Sequence, residues 1–331
     1  MDIDILSSSI YDNKDFLKII SQIKKNISSS VPYIDKVVVW FKQYNSKIDK
    51  EELEKFCTKA ITRKGLMHYY NKQKKRWLFN SKWSYRIILL QPKPELFVYL
   101  KQNTTQAYLI SHFEEALDYI TPDFESALTV HDFLQTFLVK KWHGKQELHC
   151  LINHKNKNKT TYFAKRGTPV NFVIYSGRNS KIRKNQPCCH LEIRFFGSSA
   201  VKNRLGITSF DDIINFNHYN FWKKYIRLYR ISNITKLGKI FTKNKSKKTK
   251  ARLRRKPKLK KHGHITINID LLNARSVLHT ATILKSNLRG YYRSMQALFD
   301  YAKILKKSRE LRSVIEQIEN TIFLPGQQKI L

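Results

Sequence analysis

The chain has 331 residues and a net charge of +38, from 63 Lys and Arg against 25 Asp and Glu. That excess goes far beyond what solubility needs and points to a polyanionic partner, nucleic acid or an anionic membrane surface. A 41% hydrophobic, 12% aromatic composition can bury a core, and four cysteines without CxxC spacing exclude a disulfide framework or zinc ribbon.

Residues 1–30 are polar, with one helical pattern at Phe16, Ile19, Ile20 and Ile23, and are expected to form a peripheral segment. They lack a basic region followed by an apolar run, and no apolar stretch approaches the roughly eighteen residues of a membrane-spanning helix. The expectation is therefore an intracellular protein that is neither secreted nor in the membrane. The β-branched and aromatic run 33–41 reads as a strand, and residues 50–58 carry Leu53, Phe56 and Cys57 at helical spacing. Residues 65–90 are strand-rich and basic, Pro92 and Pro94 break the pattern, and residues 95–101 suit a short helix. A strand over 109–120 precedes a helix start, with Thr121 expected as N-cap and Pro122 at the first position. Phe124, Leu128, His131, Leu134, Phe137 and Leu138 form that helix's apolar stripe. A hairpin is expected around NHKNKNK, joining 147–152 to 160–163.

The most informative stretch is 171–197, two strands joined by a basic loop. In the second strand, 188–196, alternation places Cys189, Leu191, Ile193 and Phe195 on one face. Cys188, His190, Glu192 and Arg194 fall on the other. In the strand 109–120, His112, Glu114 and Asp118 share a side. If the two strands are neighbours, Glu114, Asp118, His190 and Glu192 gather as candidate ligands whose oxygen-rich character suits Mg²⁺ or Mn²⁺. The alternative is the solvated face of a half-exposed sheet.

Residues 198–230 read as helical, including SFDDIINFNHYNFWKKYIRLY. Between residues 243 and 261, 12 of 19 residues are Lys or Arg, a run that cannot bury a core and is expected to be disordered alone. Beyond it, 264–269 suits a short strand and 271–318 two or three helices. The expected architecture is α+β: a mostly antiparallel sheet with helices on one face, a basic linker and a small helical C-terminal region. Its divisions are 1–30, 31–241, 242–262 and 263–331.

The segment order resembles the replication initiation factor family, the initiators of rolling-circle plasmids and phages. HFEEALDY (112–119) is similar to that family's first strand. TTYF (160–163), YSGRNSK (175–181) and HLEIRFFG (190–197) are similar to its later motifs. Two positions depart: His112 stands where the family has Arg, and Glu115 where it has an apolar residue. The resemblance implies DNA binding at an origin and nicking of one strand by a metal-assisted tyrosine, with a covalent 5′-phosphate link. No tyrosine lies in 198–206, where the family's nucleophile is expected. The candidates are Tyr225 and Tyr229, four apart on an expected helix and flanked by Lys223, Lys224, Arg227 and Arg230. Tyr292 is a distant rival. DNA contacts are expected from Arg178, Lys181, Arg183, Lys184 and Arg194, and from Lys248, Arg252, Arg254, Arg255 and Lys256 in the basic run. The competing reading is a DNA-binding or plasmid-maintenance protein without the chemistry.

Overall fold

The structure is a computed structural model. It describes residues 13–71, 76–80, 82–138, 149–152, 158–163, 168–226, 228–231, 258–259, 265–266 and 315–318. The elements in chain order begin with helix α1 (Asn13–Lys25), strand β1 (Ser29–Phe41), α2 (Lys50–Lys55), β2 (Lys59–Lys64), β3 (Met67–Asn71), β4 (Arg76–Asn80) and β5 (Tyr85–Leu90). They continue with α3 (Pro94–Asn103), β6 (Tyr108–Ile120), α4 (Phe124–Phe137), β7 (His149–Ile152), β8 (Lys159–Tyr162), β9 (Val170–Asn179) and β10 (Pro187–Phe196). Then come α5 (Ser198–Ala200), running into a π turn at Val201–Leu205, α6 (Phe210–Ile214), α7 (His218–Tyr225) and β11 (Leu228–Ile231).

The class is α+β. Eight strands form one antiparallel sheet in the order β2-β5-β1-β6-β10-β9-β8-β7. The two long strands β6 and β10 are neighbours at its centre. Each described helix sends side chains into one core on one side of this sheet. There Ile23 of α1, Leu53 of α2, Phe97 of α3, Leu134 of α4, Ile213 of α6 and Trp222 of α7 join Val37, Phe113, Leu117, Leu191, Ile193 and Phe195 of the strands. Burying a side chain of this kind stabilises the fold by about 1.5–3 kcal/mol. The alternation read in β10 is observed, with Cys189, Leu191, Ile193 and Phe195 all in the core.

Several local expectations change. The N-cap of α4 is Asp123, whose side chain accepts from Ser126 N at 2.7 Å. Thr121 instead uses its hydroxyl on the carbonyls of Asp123 and Pro187, so the better anionic cap wins the position. Strand β1 starts at Ser29 because Ser29–Pro32 pair with Leu117–Ile120 of β6. The helix α7 stops at Tyr225, and Tyr229 lies in β11, which pairs with Ile315–Ile318. The buried Ile226 and Leu228 follow a period of two, which favours strand over continued helix. Residues 315–318 are thus strand where helix was expected. Lys258–Leu259, inside the basic run, pair with Ile265–Thr266. The rest of the basic run and of the C-terminal region lies outside the described residues.

A buried ionisable pair lies on the core face. Glu115 of β6 is fully buried, with Oε1 2.6 Å from His218 Nδ1 and accepting from Trp222 Nε1 at 3.1 Å. It fastens α7 to the middle of the sheet. Burial pushes the Glu115 carboxyl up, with a smaller push from the charge of Asp35, while His218 and Trp222 pull it down. Burial works to lower His218, and the charge and hydrogen bond of Glu115 outweigh it, leaving it raised. Both folded values therefore lie above the unfolded ones. For His218 the stability this gives is complete below the unfolded histidine value of about 6.5 and is lost as pH rises through its folded value, while the Glu115 share is complete only below the unfolded glutamate value of about 4.3 and is lost through its own folded value. Removing one partner of a buried pair costs about 3–5 kcal/mol. His218→Ala should lose stability of that order in denaturant unfolding below about pH 6.5, with a smaller deficit at higher pH. An equal deficit at all pH would show that His218 acts only by packing.

Candidate functional site

The second face of the sheet carries the site. On β10 this face presents His190, Glu192 and Arg194, and register sets them beside β6: His190 opposite Asp118, Glu192 opposite Ala116 and Arg194 opposite Glu114. On the other side, His190 faces Tyr175 of β9. The two polar stripes read from the sequence are therefore adjacent.

A fifth residue joins them. Register between β1 and β6 slips between Ile34 and Lys36, which leaves Asp35 as the extra residue of a bulge. Strict alternation would send Asp35 into the core with Val37 and Val39. The bulge re-aims it, and its carboxylate lies with those of the open face. One ligand atom each from Asp35, His190 and Glu192 lies within 4.8 Å of the others, and all three residues are buried. Asp35 was missed because period-two reading hides a bulge. The available signal was a lone carboxylate in the run YIDKVVVWF.

The remaining groups orient these three. Asp118 Oδ1 lies 2.5 Å from His190 Nδ1, and the hydroxyl of Tyr33 lies 3.5 Å from the same oxygen and 3.4 Å from Nδ1. Asp118 Oδ2 accepts from Ser180 Oγ at 2.5 Å, and that hydroxyl in turn accepts from the backbone N–H groups of Ile182 and Arg183. Asp118 thus stands behind His190, as carboxylates do behind metal-binding histidines, and ties it to the basic β9–β10 loop. Glu114 is elsewhere: its Oε1 lies 2.6 Å from His112 Nε2, with Lys36 and Arg194 at 3.9 and 3.8 Å. So His190 and Glu192 meet Asp35, Asp118 supports them, and Glu114 sits one row away.

Electrostatics are strong. Burial works to raise Glu192, but hydrogen bonds from His190 and Arg194 and their charges hold its carboxyl well below the usual carboxylate range. Burial works to lower His190, and Asp118 and Glu192 outweigh it, so it is raised. Arg194 donates from Nε to Glu192 and from a terminal nitrogen to the Tyr175 hydroxyl. The Arg178 guanidinium lies over the Tyr175 ring at 4.4 Å. Lys181 Nζ donates to both Asp35 oxygens at 2.7 and 2.5 Å, and Gln91 donates to one of them. A cation therefore already stands against Asp35.

The end of β9, four residues before Lys181, holds a glycine that no other residue could replace. Gly177 has φ +80, and a Cβ there would fall 1.8 Å from Asn158 Cγ, whose amide donates to the Gly177 carbonyl at 3.1 Å. Only glycine satisfies both conditions without displacing Asn158.

Of the other expected site residues, Arg183 and Lys184 are exposed in the β9–β10 loop. Tyr225 is buried in the core with its ring against Phe221 and Phe195, and burial pushes its hydroxyl up to about 12. The sheet separates it from His190 and Glu192. The side chain of Tyr229, and Lys248, Arg252, Arg254, Arg255 and Lys256, lie outside the described residues. No described helix is long and apolar enough to cross a membrane.

Fold and site together define an α+β protein with one helix-covered sheet face and a second, ionisable face whose carboxylates and histidine are buried and flanked by basic residues. No known family model matches the chain, and no curated protein matches it. Among solved structures the chain is similar to a rolling circle replication initiator protein from Geobacillus stearothermophilus. The TM-score is 0.34, with 13% identity over 61% of this chain and 88% of that one. So faint a likeness carries no weight on function, which rests on the site's own chemistry.

Proposed function

We propose that the open sheet face binds a DNA strand and holds a divalent cation against it, and that the protein acts in DNA replication as an initiator that nicks one strand. The observation that carries this reading is the convergence of Asp35, His190 and Glu192 within 4.8 Å on a face ringed by arginine and lysine. Two carboxylates and one imidazole fit Mg²⁺ or Mn²⁺, and Asp118 supplies the supporting contact such a histidine needs. When bound there, the ion supplies Lewis-acid polarisation of a phosphodiester.

The chain's own residues supply the rest. Arg194 and Arg178 flank Tyr175 and present two guanidiniums to a phosphate. Burial first, then the charge of Glu192, raises the Tyr175 hydroxyl, and Arg194 and Arg178 offset only part of this, leaving it raised. Tyr175 is the nucleophile of this reading: its oxygen bonds to phosphorus, the bond to the 3′ oxygen breaks, and the phenolic proton ends, through solvent, on that oxygen. Incubation of supercoiled DNA of the protein's own replicon with Mn²⁺ tests this, an open-circular product supporting nicking.

A second reading, strand binding without chemistry, is favoured by the ion pair of Lys181 with Asp35 and of Arg194 with Glu192, which satisfies both carboxylates from within. Either reading leaves the basic run as a source of affinity. Single-stranded binding weakens with salt by about 0.7 log units per tenfold salt for each phosphate neutralised. Deleting residues 243–261 should flatten the salt dependence and weaken binding to all sequences alike, as fluorescence anisotropy would show. An unchanged slope would mean that those 12 basic residues do not touch DNA.

A further inference from the structure

A second feature of the open face lies near the other end of β1. Register places Trp40 beside Arg86 of β5, and Arg86 beside Arg63 of β2. Val39, Phe41, Tyr85 and Ile87 point into the core, so Trp40 and Arg86 face away from the helices. A cavity of about 400 Å³ opens there, lined by Trp40, Arg63, Lys64, Gly65, Leu66 and Arg86. That volume is within the roughly 300–1,000 Å³ of small-molecule sites.

Its chemistry is specific. The Arg86 guanidinium lies over the Trp40 ring at 5.2 Å, so the indole backs a flat cationic surface. Leu66 adds an apolar wall, 41% exposed. Arg86 Nε is buried without a hydrogen-bond partner among the described residues. All the charged lining residues are basic. Burial first, and then the charge of Arg63, disfavours the charged form of Arg86. An anion between the two arginines would relieve that repulsion.

We propose that this cavity holds one nucleotide of a single nucleic-acid strand, its base stacked on the Arg86 guanidinium and its phosphate between Arg63 and Arg86. A free phosphate has no use for the stacking plane and Leu66, whereas a nucleotide uses both. β1 runs from Asp35 to Trp40, about 16 Å at strand spacing, so a strand lying on the face passes both places. The proposal rests on the strand-binding reading above and adds where a base is held.

The test uses the full chain and two probes, a short oligo(dT) and an abasic strand with the same number of phosphates, compared by anisotropy at fixed salt. Wild type should prefer the base-bearing strand by about tenfold or more. Arg86→Lys keeps the charge and loses the plane. It should lose most of that preference while holding the abasic strand and its salt slope unchanged. Arg63→Gln should weaken both strands by the same factor and leave the preference intact. Circular dichroism and melting temperature confirm that both variants are folded. Equal binding of the two strands by wild type, a full preference surviving in Arg86→Lys, or no effect of Arg63→Gln would overturn the site while leaving strand binding standing. Failure of wild type to bind either strand would remove both.

Discussion

Mn²⁺ at about a hundred times its dissociation constant is expected to stabilise the wild-type chain by about 2.7 kcal/mol, which raises the melting temperature of a domain this size by about 5–10 °C. Asp35→Ala and Glu192→Ala should abolish that shift, because each removes one of the three converging donors. Glu114→Ala should retain it, since Glu114 is engaged with His112 one row away. Lys181 decides between the two readings. Its ammonium occupies the cation position beside Asp35. Lys181→Met removes the cation paired with the buried Asp35 carboxylate, leaving it the Gln91 donor, and should lower stability in metal-free buffer. Mn²⁺ should then raise the melting temperature of the variant more than that of wild type, and isothermal titration should show tighter binding than in wild type. No melting shift and no binding heat in wild type would mean that Lys181 and Arg194 are permanent counter-ions. The face would then bind DNA without a metal.

What the sequence made legible follows from where alternation holds. β10 shows it without interruption, so Cys189, Leu191, Ile193 and Phe195 could be assigned to the core and His190, Glu192 and Arg194 to the open face. β6 shows it from His112 to Asp118, and the pairing of the two strands brought the stripes together. β1 does not, because one extra residue reverses the parity on either side of Asp35. The lone carboxylate in YIDKVVVWF is the one mark of the slip, and period-two reading alone assigns it to the core, so the third member of the cluster was hidden. Glu115 shows the opposite problem. It was noted as a carboxylate in an apolar position, but its partner His218 is 103 residues away, and no local pattern joins the two. The segment HYNFWKKYIRLYRI carries both helical and alternating spacing, and pairing of β11 with Ile315–Ile318 decides between them. That decision removes the shared helical face on which Tyr225 and Tyr229 were to act together.

The choice of tyrosine follows from the side of the sheet. A nucleophile must reach a phosphate held at the cation site, with its oxygen open to the strand. Tyr225 fails on position, since its ring packs against Phe195 and Phe221 in the core. Tyr33 is on the right side, but its hydroxyl lies within hydrogen-bonding reach of Asp118 and His190, and burial, Asp118 and Asp35 all raise it. Tyr175 sits beside Glu192 with Arg194 on its oxygen and Arg178 on its ring. If the chemistry is tyrosine transesterification, Tyr175→Phe should abolish the covalent protein–DNA adduct seen on a denaturing gel while single-strand affinity changes less than about threefold. That follows because only the attacking oxygen is lost and the ring that Arg178 covers is kept. Tyr225→Phe should leave the adduct intact. An adduct that survives Tyr175→Phe and vanishes in Tyr225→Phe or Tyr229→Phe would require the α7–β11 segment to reach the open face, and would overturn the assignment to Tyr175.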